Sequence, residues 1–180
     1  MLLAPISRLF VREPTPTLPE QAMTDVIQIH HVSIAVPDLD VAIEWYGRVL
    51  GFSDPKHFRI DALDSRMAFI RRGALRLELW QHAEAQPVPA ERRQPDTDLR
   101  TCGTKHMGLA VHDLRAYLER FVYEGVDIAG IQRSPAEPMR SDPNPLTSDS
   151  RPPFAMFIRD PGGTLIEILD ADALDRVLPN

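Results

Sequence analysis

The sequence predicts an α+β fold made of two tandem β-α-β-β-β units. Three observations support this prediction. The run HVSIAVPDL, which begins at His31, matches HMGLAVHDL, which begins 75 residues later at His106. Each run is followed by an amphipathic helical pattern and then by three strand-like runs. The final strands also match, as GALRLEL in the first unit and GGTLIEI in the second. The competing interpretation is a coincidental similarity of two αβ segments.

The elements of each unit follow from local patterns. Apolar residues alternate along both repeated runs, which predicts a strand, and an Asp-Leu turn follows. Amphipathic helices are predicted at 41–50 and 116–123. Their N-caps and C-terminal stops are Asp38 and Gly51 in the first unit and Asp113 and Gly125 in the second. The remaining strands are predicted at 52–56, 66–71 and 75–81, and at 127–132, 154–159 and 164–169.

The chain divides into five segments on this basis. They are an N-terminal arm (1–25), a first βαβββ module (26–82), a linker (83–103), a second βαβββ module (104–171) and a C-terminal tail (172–180). The arm is expected to be irregular, and a start-site artefact and a partner-binding arm are the alternatives. Arg8 and Arg12 follow its short apolar run, whereas a secretory signal places positive charge before such a run.

Composition excludes several classes of function. The net charge is −6 and no basic run is present, so the electrostatic footprint of a nucleic-acid binder is missing. No stretch approaches the roughly 20 apolar residues that cross a bilayer, so we expect no membrane association. A single cysteine, Cys102, cannot form an internal disulfide, which fits a cytoplasmic protein.

Two His and two Glu residues recur at matched positions, namely His31 and Glu78 in the first unit and His106 and Glu167 in the second. Side chains alternate between the faces of a strand, so each His faces away from the helix, beside small residues. Each Glu stands among aliphatic residues, where a carboxylate needs solvent or a compensating partner. We therefore expect the four side chains to converge on one concave face and to bind one divalent metal ion.

Each of these residues, taken singly, also fits an ordinary role. An isolated His or Glu on a strand is more typical of a solvated or hydrogen-bonded residue, and the recurrence is what favours a metal site. His30 is the rival of His31, but alternation places it with the helix-facing set and its counterpart is Lys105. Four residues have no counterpart in the other unit and are expected to be inert or at the surface: His57, His82, His112 and Cys102.

The His-to-Glu spacing differs between the units, at 47 residues in the first and 61 in the second. A Pro-rich loop at 134–152 in the second unit accounts for the difference. Its flanks and interior carry Arg133, Arg140 and Arg151. Long loops in compact domains often have a function, so this loop is expected either to cover the pocket or to be disordered.

The motifs resemble those of the vicinal oxygen chelate superfamily. This superfamily includes glyoxalase I, methylmalonyl-CoA epimerase, extradiol dioxygenases and bleomycin- or fosfomycin-resistance proteins. The resemblance rests on three motifs: HVSIAVPDL from His31, the helix end with Trp45-Tyr46 and Leu50-Gly51-Phe52, and DPGGTLIE from Asp160 to Glu167. It covers about residues 28–170.

The resemblance implies a fold, a ligand set and an assembly. The strands of the two modules would curl into a mixed sheet, a half-barrel, around the ion. The family's metal-ligand positions match His31, Glu78, His106 and Glu167 one by one, a set that looks like that of glyoxalase I. Related proteins often form homodimers in which modules from two chains complete each site.

Metal-dependent proton transfer is the function that this resemblance implies. Imidazole and carboxylate ligands suit zinc, nickel, cobalt, manganese or iron, so the metal is not decided. The chain would be a lyase or isomerase that stabilises an enediolate or enolate of a small substrate with vicinal oxygens. By similarity to glyoxalase I, Glu167 is the first choice of catalytic base and Glu78 the second acid/base.

Two alternatives stay open. One is an Fe(II)-dependent dioxygenase, and the other is a binding or resistance protein without turnover. The substrate is not predicted, and whether it contains glutathione or CoA is open. Four arginines of the first unit are candidates for contacting an anionic group, although surface positions are the competing interpretation: Arg59, Arg71, Arg72 and Arg76.

Overall fold

The computed structural model describes residues 28–100 and 102–177. The first unit comprises β1 (Val32–Ala35), α1 (Leu39–Leu50), β2 (Ser53–Ile60), β3 (Ser65–Arg72) and β4 (Leu75–His82). A linker with the short helix α2 (Pro95–Asp98) follows. The second unit comprises β5 (Met107–Val111), α3 (Leu114–Tyr123), β6 (Ile128–Gln132), β7 (Ala155–Arg159) and β8 (Leu165–Asp170).

Each unit forms its own four-stranded mixed sheet. The strand orders are β1-β4-β3-β2 and β5-β8-β7-β6, so the two units have the same topology. The first strand pairs in parallel with the last one, and the remaining pairs are antiparallel. The predicted α+β class and the two βαβββ units are confirmed. The strands lie in two separate sheets that do not close into a barrel.

Both main helices begin two residues earlier than predicted. The Asp38 side chain accepts a hydrogen bond from the Val41 amide, which makes it the N-cap and places Leu39 in the first turn. Asp113 and the Ala116 amide repeat this arrangement in α3. The predicted Asp-Leu turn is therefore the start of the helix, in which Asp is the N-cap and Leu is the first helical residue. That leucine is completely buried in both units.

The edge strand β2 is longer than predicted, since it continues past Lys56 to Ile60. Most of its residues are polar, seven of the eight are exposed, and β2 pairs with β3 alone. Backbone hydrogen bonds to β3, and not the burial of one face, hold β2 in place. Its sequence therefore has no apolar alternation from which its full length could be predicted. The ends of the other predicted strands shift by at most one residue.

A shared core joins the two units. Its fully buried residues come from both helices and from both sheets, and they include Tyr46, Leu50, Leu79, Phe121 and Ile158. Polar contacts also cross between the units. The Arg120 guanidinium donates to the Val49 carbonyl oxygen over 2.7 Å, and Arg48 forms an ion pair with Glu124.

The connecting segments have structure of their own. The Pro-rich loop at 134–152, called the long loop below, returns to the second sheet. There the backbone of Arg140 forms an isolated antiparallel bridge with Ile131 of β6. The segment predicted as a C-terminal tail starts with helix α4 (Ala171–Val177). The predicted N-terminal arm lies outside the described residues. Among the helices that are described, none combines the length and apolar character that a membrane span requires.

Candidate metal centre

The first candidate ligand pair lies on the exposed face of the first sheet. His31 immediately precedes β1, and Glu78 lies in the middle of β4, where it pairs with Ser33. The His31 Nε2 atom is 3.5 Å from the Glu78 Oε2 atom. Ile34 of β1 and Val36 just after it, which have the opposite parity to His31, are buried. The alternation of faces therefore orients His31 as the sequence predicts.

The second pair repeats this geometry. His106 immediately precedes β5, and Glu167 lies in β8, where it pairs with Gly108. The His106 Nε2 atom is 3.2 Å from the Glu167 Oε2 atom. The side chains of both pairs are 15–34 % exposed, so their donor atoms are accessible to a small ligand. Within the described residues, neither carboxylate accepts a hydrogen bond from any other group.

Each imidazole has a phenylalanine beside it, a contact that the sequence pattern did not predict. The ring centroids of His31 and Phe69 are 5.4 Å apart at an interplanar angle of 82°. Those of His106 and Phe157 are 4.9 Å apart at 87°. Each Phe also pairs across the sheet with the Glu of its unit. A signal was present in the sequence, since AFIR and MFIR recur in β3 and β7.

The two pairs do not meet within one chain. Across residues 28–100 and 102–177, no three His, Cys, Asp or Glu side chains are grouped so that they could bind one metal ion. Each pair belongs to its own sheet, and the sheets are separate. The chain thus presents two pairs of identical composition, which are candidate halves of a metal site: the His31–Glu78 half-site and the His106–Glu167 half-site.

The donor chemistry of each half-site suits a divalent transition metal. Imidazole nitrogen and carboxylate oxygen are ordinary ligands of zinc and its neighbours. The carboxylates make no competing contact among the described residues, and small neighbours at Ser33, Ala35 and Gly108 leave space in front of them. Two half-sites together would supply four protein ligands, whereas one supplies only two.

The remaining histidines stay outside these pairs. His30 is exposed, and its Nδ1 atom lies 2.9 Å from that of His31, so it does not join the helix-facing set to which alternation assigned it. The reason is that β1 begins only at Val32. His82 accepts a hydrogen bond from the Glu84 amide, and His112 contacts Asp172 at the surface. His57 and Cys102 are exposed.

The candidate arginines of the first unit differ in what they contact. Arg59 pairs with Asp61 and Asp64, and Arg72 donates to the Leu50 carbonyl oxygen and to the Tyr117 hydroxyl. Arg71 pairs with Asp54 over 3.0 Å. A hydrogen bond from Lys56, together with the charges of Lys56 and Arg71, lowers the pKa of Asp54. Arg76 makes no hydrogen bond or ion pair with the rest of the described chain.

The long loop covers part of the second sheet. Met139 packs against a small apolar cluster of Ala129, Phe157 and Leu165. Phe157 and Leu165 lie on the same face as Glu167, so the loop approaches the half-site of this unit. Arg151 stabilises the loop through ion pairs with Glu137 and Asp149, and it lowers the pKa of Asp149 to about 2.

A groove of about 730 Å³ runs between the free edges of β1 and β5. Its walls are mostly apolar residues from both units, and its polar lining residues include His106, Arg92 and Lys105. The buried carboxylate of Asp98 holds both of these cations. The volume is in the range of small-molecule sites.

Comparison with known proteins relates this geometry to one family. The family model described as "Glyoxalase/Bleomycin resistance protein/Dioxygenase superfamily" matches residues 28–168. No curated protein sequence matches the chain significantly.

Several solved structures share the fold. Glyoxalase I of Leishmania major is 19% identical, with a TM-score of 0.60, over 84% of this chain and 93% of that one. A glyoxylase/bleomycin resistance protein/dioxygenase domain from Frankia sp. EAN1pec is 21% identical, with a TM-score of 0.56, over 81% and 92%. Glyoxalase I of Zea mays is 18% identical, with a TM-score of 0.56, and the match covers 79% of this chain and 44% of that one.

The family match spans most of the chain and contains both half-sites, and the structural neighbours have the same fold. The predicted resemblance to the vicinal oxygen chelate superfamily is therefore confirmed. The chain belongs to the Glyoxalase/Bleomycin resistance protein/Dioxygenase superfamily.

Proposed function

We propose that this protein is a divalent-metal-dependent lyase or isomerase of the glyoxalase I type. The observation that carries the proposal is the repeated His–Glu pair, which has the same residue types, the same strand positions and nearly the same separation in both units. Accidental surface residues have no reason to recur in this way. A protein that only bound a small molecule would not need a complete set of metal ligands.

A complete metal centre requires one half-site of each kind. Because a single chain does not bring its two half-sites together, we propose a homodimer. The His31–Glu78 half-site of one chain would face the His106–Glu167 half-site of a second copy. A symmetric dimer of this kind contains two equivalent centres.

The protein's own residues then have distinct roles. His31 and His106 would hold the ion, and a T-shaped contact with a phenylalanine ring restrains the plane of each imidazole. When bound, a divalent ion at this position stabilises negative charge on the substrate oxygens as a C–H proton leaves. Glu167, a candidate ligand that would leave the ion to act as base, would accept that proton and release it to solvent. Glu78, in its protonated form, would deliver a proton of its own to the other side of the substrate.

Exchange of a substrate proton with solvent tests this proposal. The purified protein is incubated in D₂O with hydroxycarbonyl compounds, including hemithioacetals of methylglyoxal, and deuterium at the carbon next to the carbonyl is followed by NMR. We expect uptake that Glu167→Gln lowers by about 10²- to 10⁴-fold, the usual contribution of a general base. Glu78→Gln should have a smaller effect. Glu119→Gln, on the exposed side of α3, is the matched control.

Two further outcomes identify the alternatives. Oxygen consumption with catechols, without proton exchange, would replace the proposal with a dioxygenase. Bound metal without turnover of any compound would indicate a binding protein.

A further inference from the structure

The two half-sites differ in the residue that lies opposite each His. The parallel register pairs Val32 with Leu77, which places Arg76 opposite His31. In the second unit Met107 pairs with Ile166, which places Leu165 opposite His106. Arg76 and Leu165 therefore occupy equivalent positions in the repeat, but one is a cation and the other is aliphatic.

The surroundings of Arg76 are cationic. In the strand register, Arg71 of β3 lies opposite Arg76 of β4. Lys56 of β2 lies opposite Phe69 of β3, one row further along the same face. Asp54 contacts both Arg71 and Lys56 over 3.0 Å. Apart from the candidate ligand Glu78, this side of the first half-site thus carries three cations against one carboxylate. The imbalance is unusual in a chain whose net charge is −6.

The Asp54–Arg71 contact has a counterpart in the second unit, where Arg159 pairs with Asp127 over 2.7 Å. This recurrence indicates that the Asp–Arg pair belongs to the architecture of the repeat. What distinguishes the first half-site is the additional charge of Arg76 and Lys56. Arg76 is exposed and contacts no acidic group among the described residues.

The matching area of the second unit is apolar. Leu165 and Phe157 are 2% and 5% exposed and form a cluster with Ala129. Gly130 lies opposite Phe157 in the strand register, the position that Lys56 holds opposite Phe69 in the first unit. Met139 of the long loop packs over Gly130. The guanidinium of Arg159 is turned away to Asp127 and to the Arg93 carbonyl oxygen.

We infer that the substrate is an amphipathic carboxylate. This inference rests on the proposed function, in which the two half-sites face each other across one metal ion. The vicinal oxygens of the substrate would lie at the centre, with a separate carboxylate towards Arg76 and Lys56. The apolar part would lie towards Phe157, Leu165 and Met139. Neighbouring strands are about 4.8 Å apart, so the Arg76 side chain reaches a group next to the ion.

Binding of catechol derivatives to the metal-loaded protein, measured by isothermal titration calorimetry, tests this assignment. Catechol supplies vicinal oxygens alone, and 3,4-dihydroxybenzoate adds a remote carboxylate. We expect the wild type to bind the carboxylate about tenfold more tightly, as one charge-assisted hydrogen bond provides. Arg76→Gln should remove this preference and leave the binding of catechol unchanged. Arg59→Gln, on the opposite face of the first sheet, should retain the preference.

Equal affinity of the wild type for both probes would overturn the inference, as would a preference that survives in Arg76→Gln. Metal that is bound while neither probe binds would also overturn it. Elemental analysis separates these results from failure of the proposed function, because absence of stoichiometric metal would remove the centre itself.

Discussion

At the scale of single residues, Tyr46 and Asp160 form a buried hydrogen-bonded pair. The Tyr46 hydroxyl donates to the Asp160 Oδ2 atom over 3.0 Å, and the amides of Gly162 and Thr164 donate to its Oδ1 atom. Burial raises the pKa of Asp160, and these hydrogen bonds partly oppose that effect. The pKa of Tyr46 is raised by its burial and by the adjacent carboxylate. The pair connects α1 of the first unit to the β7–β8 turn of the second.

Loss of the Tyr46 hydroxyl should destabilise the fold in a pH-dependent way. The pKa of Asp160 is raised in the folded state. Protonated Asp160 therefore stabilises the fold at pH values below the ordinary pKa of aspartate, and this stabilisation is lost as the pH rises through the pKa of the folded state. Tyr46→Phe raises that folded pKa further. The free energy of unfolding should therefore fall by about 2 kcal/mol at neutral pH and by less at pH 3.

Urea titrations at several pH values measure this difference. Tyr117→Phe is the control, because its hydroxyl meets Arg72 at the surface and its loss should have little effect. A Tyr46→Phe effect that is the same at pH 3 and pH 7 would contradict the coupling to Asp160.

At the scale of elements, strand alternation explains why the sequence was informative about the site. A β-strand places every second side chain on the same face, so four residues and their orientation follow from the pattern. The full length of β2 and the Phe69 and Phe157 contacts were not predicted. The exposed strand β2 has no apolar alternation from which its length could be predicted. A phenylalanine in a strand has the same local sequence pattern whether its ring packs on a core residue or on a histidine such as His31 or His106.

The contact between Gly130 and the long loop predicts a specific incompatibility. A Cβ atom at Gly130 would lie 2.7 Å from the Met139 Cγ atom, so Gly130→Ala should displace the loop and lower stability by about 1–3 kcal/mol. Met139→Ala removes the obstructing atoms, and the double variant should be no less stable than Met139→Ala alone. Thermal unfolding of the three variants checks this. Additive losses in the double variant would show that the loop does not pack there.

At the scale of the whole molecule, the arrangement of the two units could not be predicted from the sequence. The repeat predicts two similar sheets, and the capping residues and turns determine each of them locally. How one sheet faces the other depends on the shared core and on cross-unit contacts such as the Arg120–Val49 hydrogen bond. These contacts join residues 71 positions apart and have no periodic signature.

The separation of the two half-sites is the consequence that matters for function. The repeat predicts four ligands converging on one face, whereas the structure presents two pairs. The homodimer that we propose brings them together, because each centre then takes one pair from each chain. The groove between the β1 and β5 edges lies beside His106, so access to that half-site is open within the chain.

Metal content of a purified heterodimer tests this central claim most directly. Chains carrying His31→Ala and His106→Ala are co-expressed with different tags, and the heterodimer is isolated for elemental analysis. Each homodimer should retain little metal. The heterodimer should hold about half the wild-type amount, because one of its two centres combines intact pairs. A His112→Ala homodimer should retain the full amount. A heterodimer as empty as its parents, or full occupancy in either of the His31→Ala and His106→Ala homodimers, would contradict a centre shared between chains.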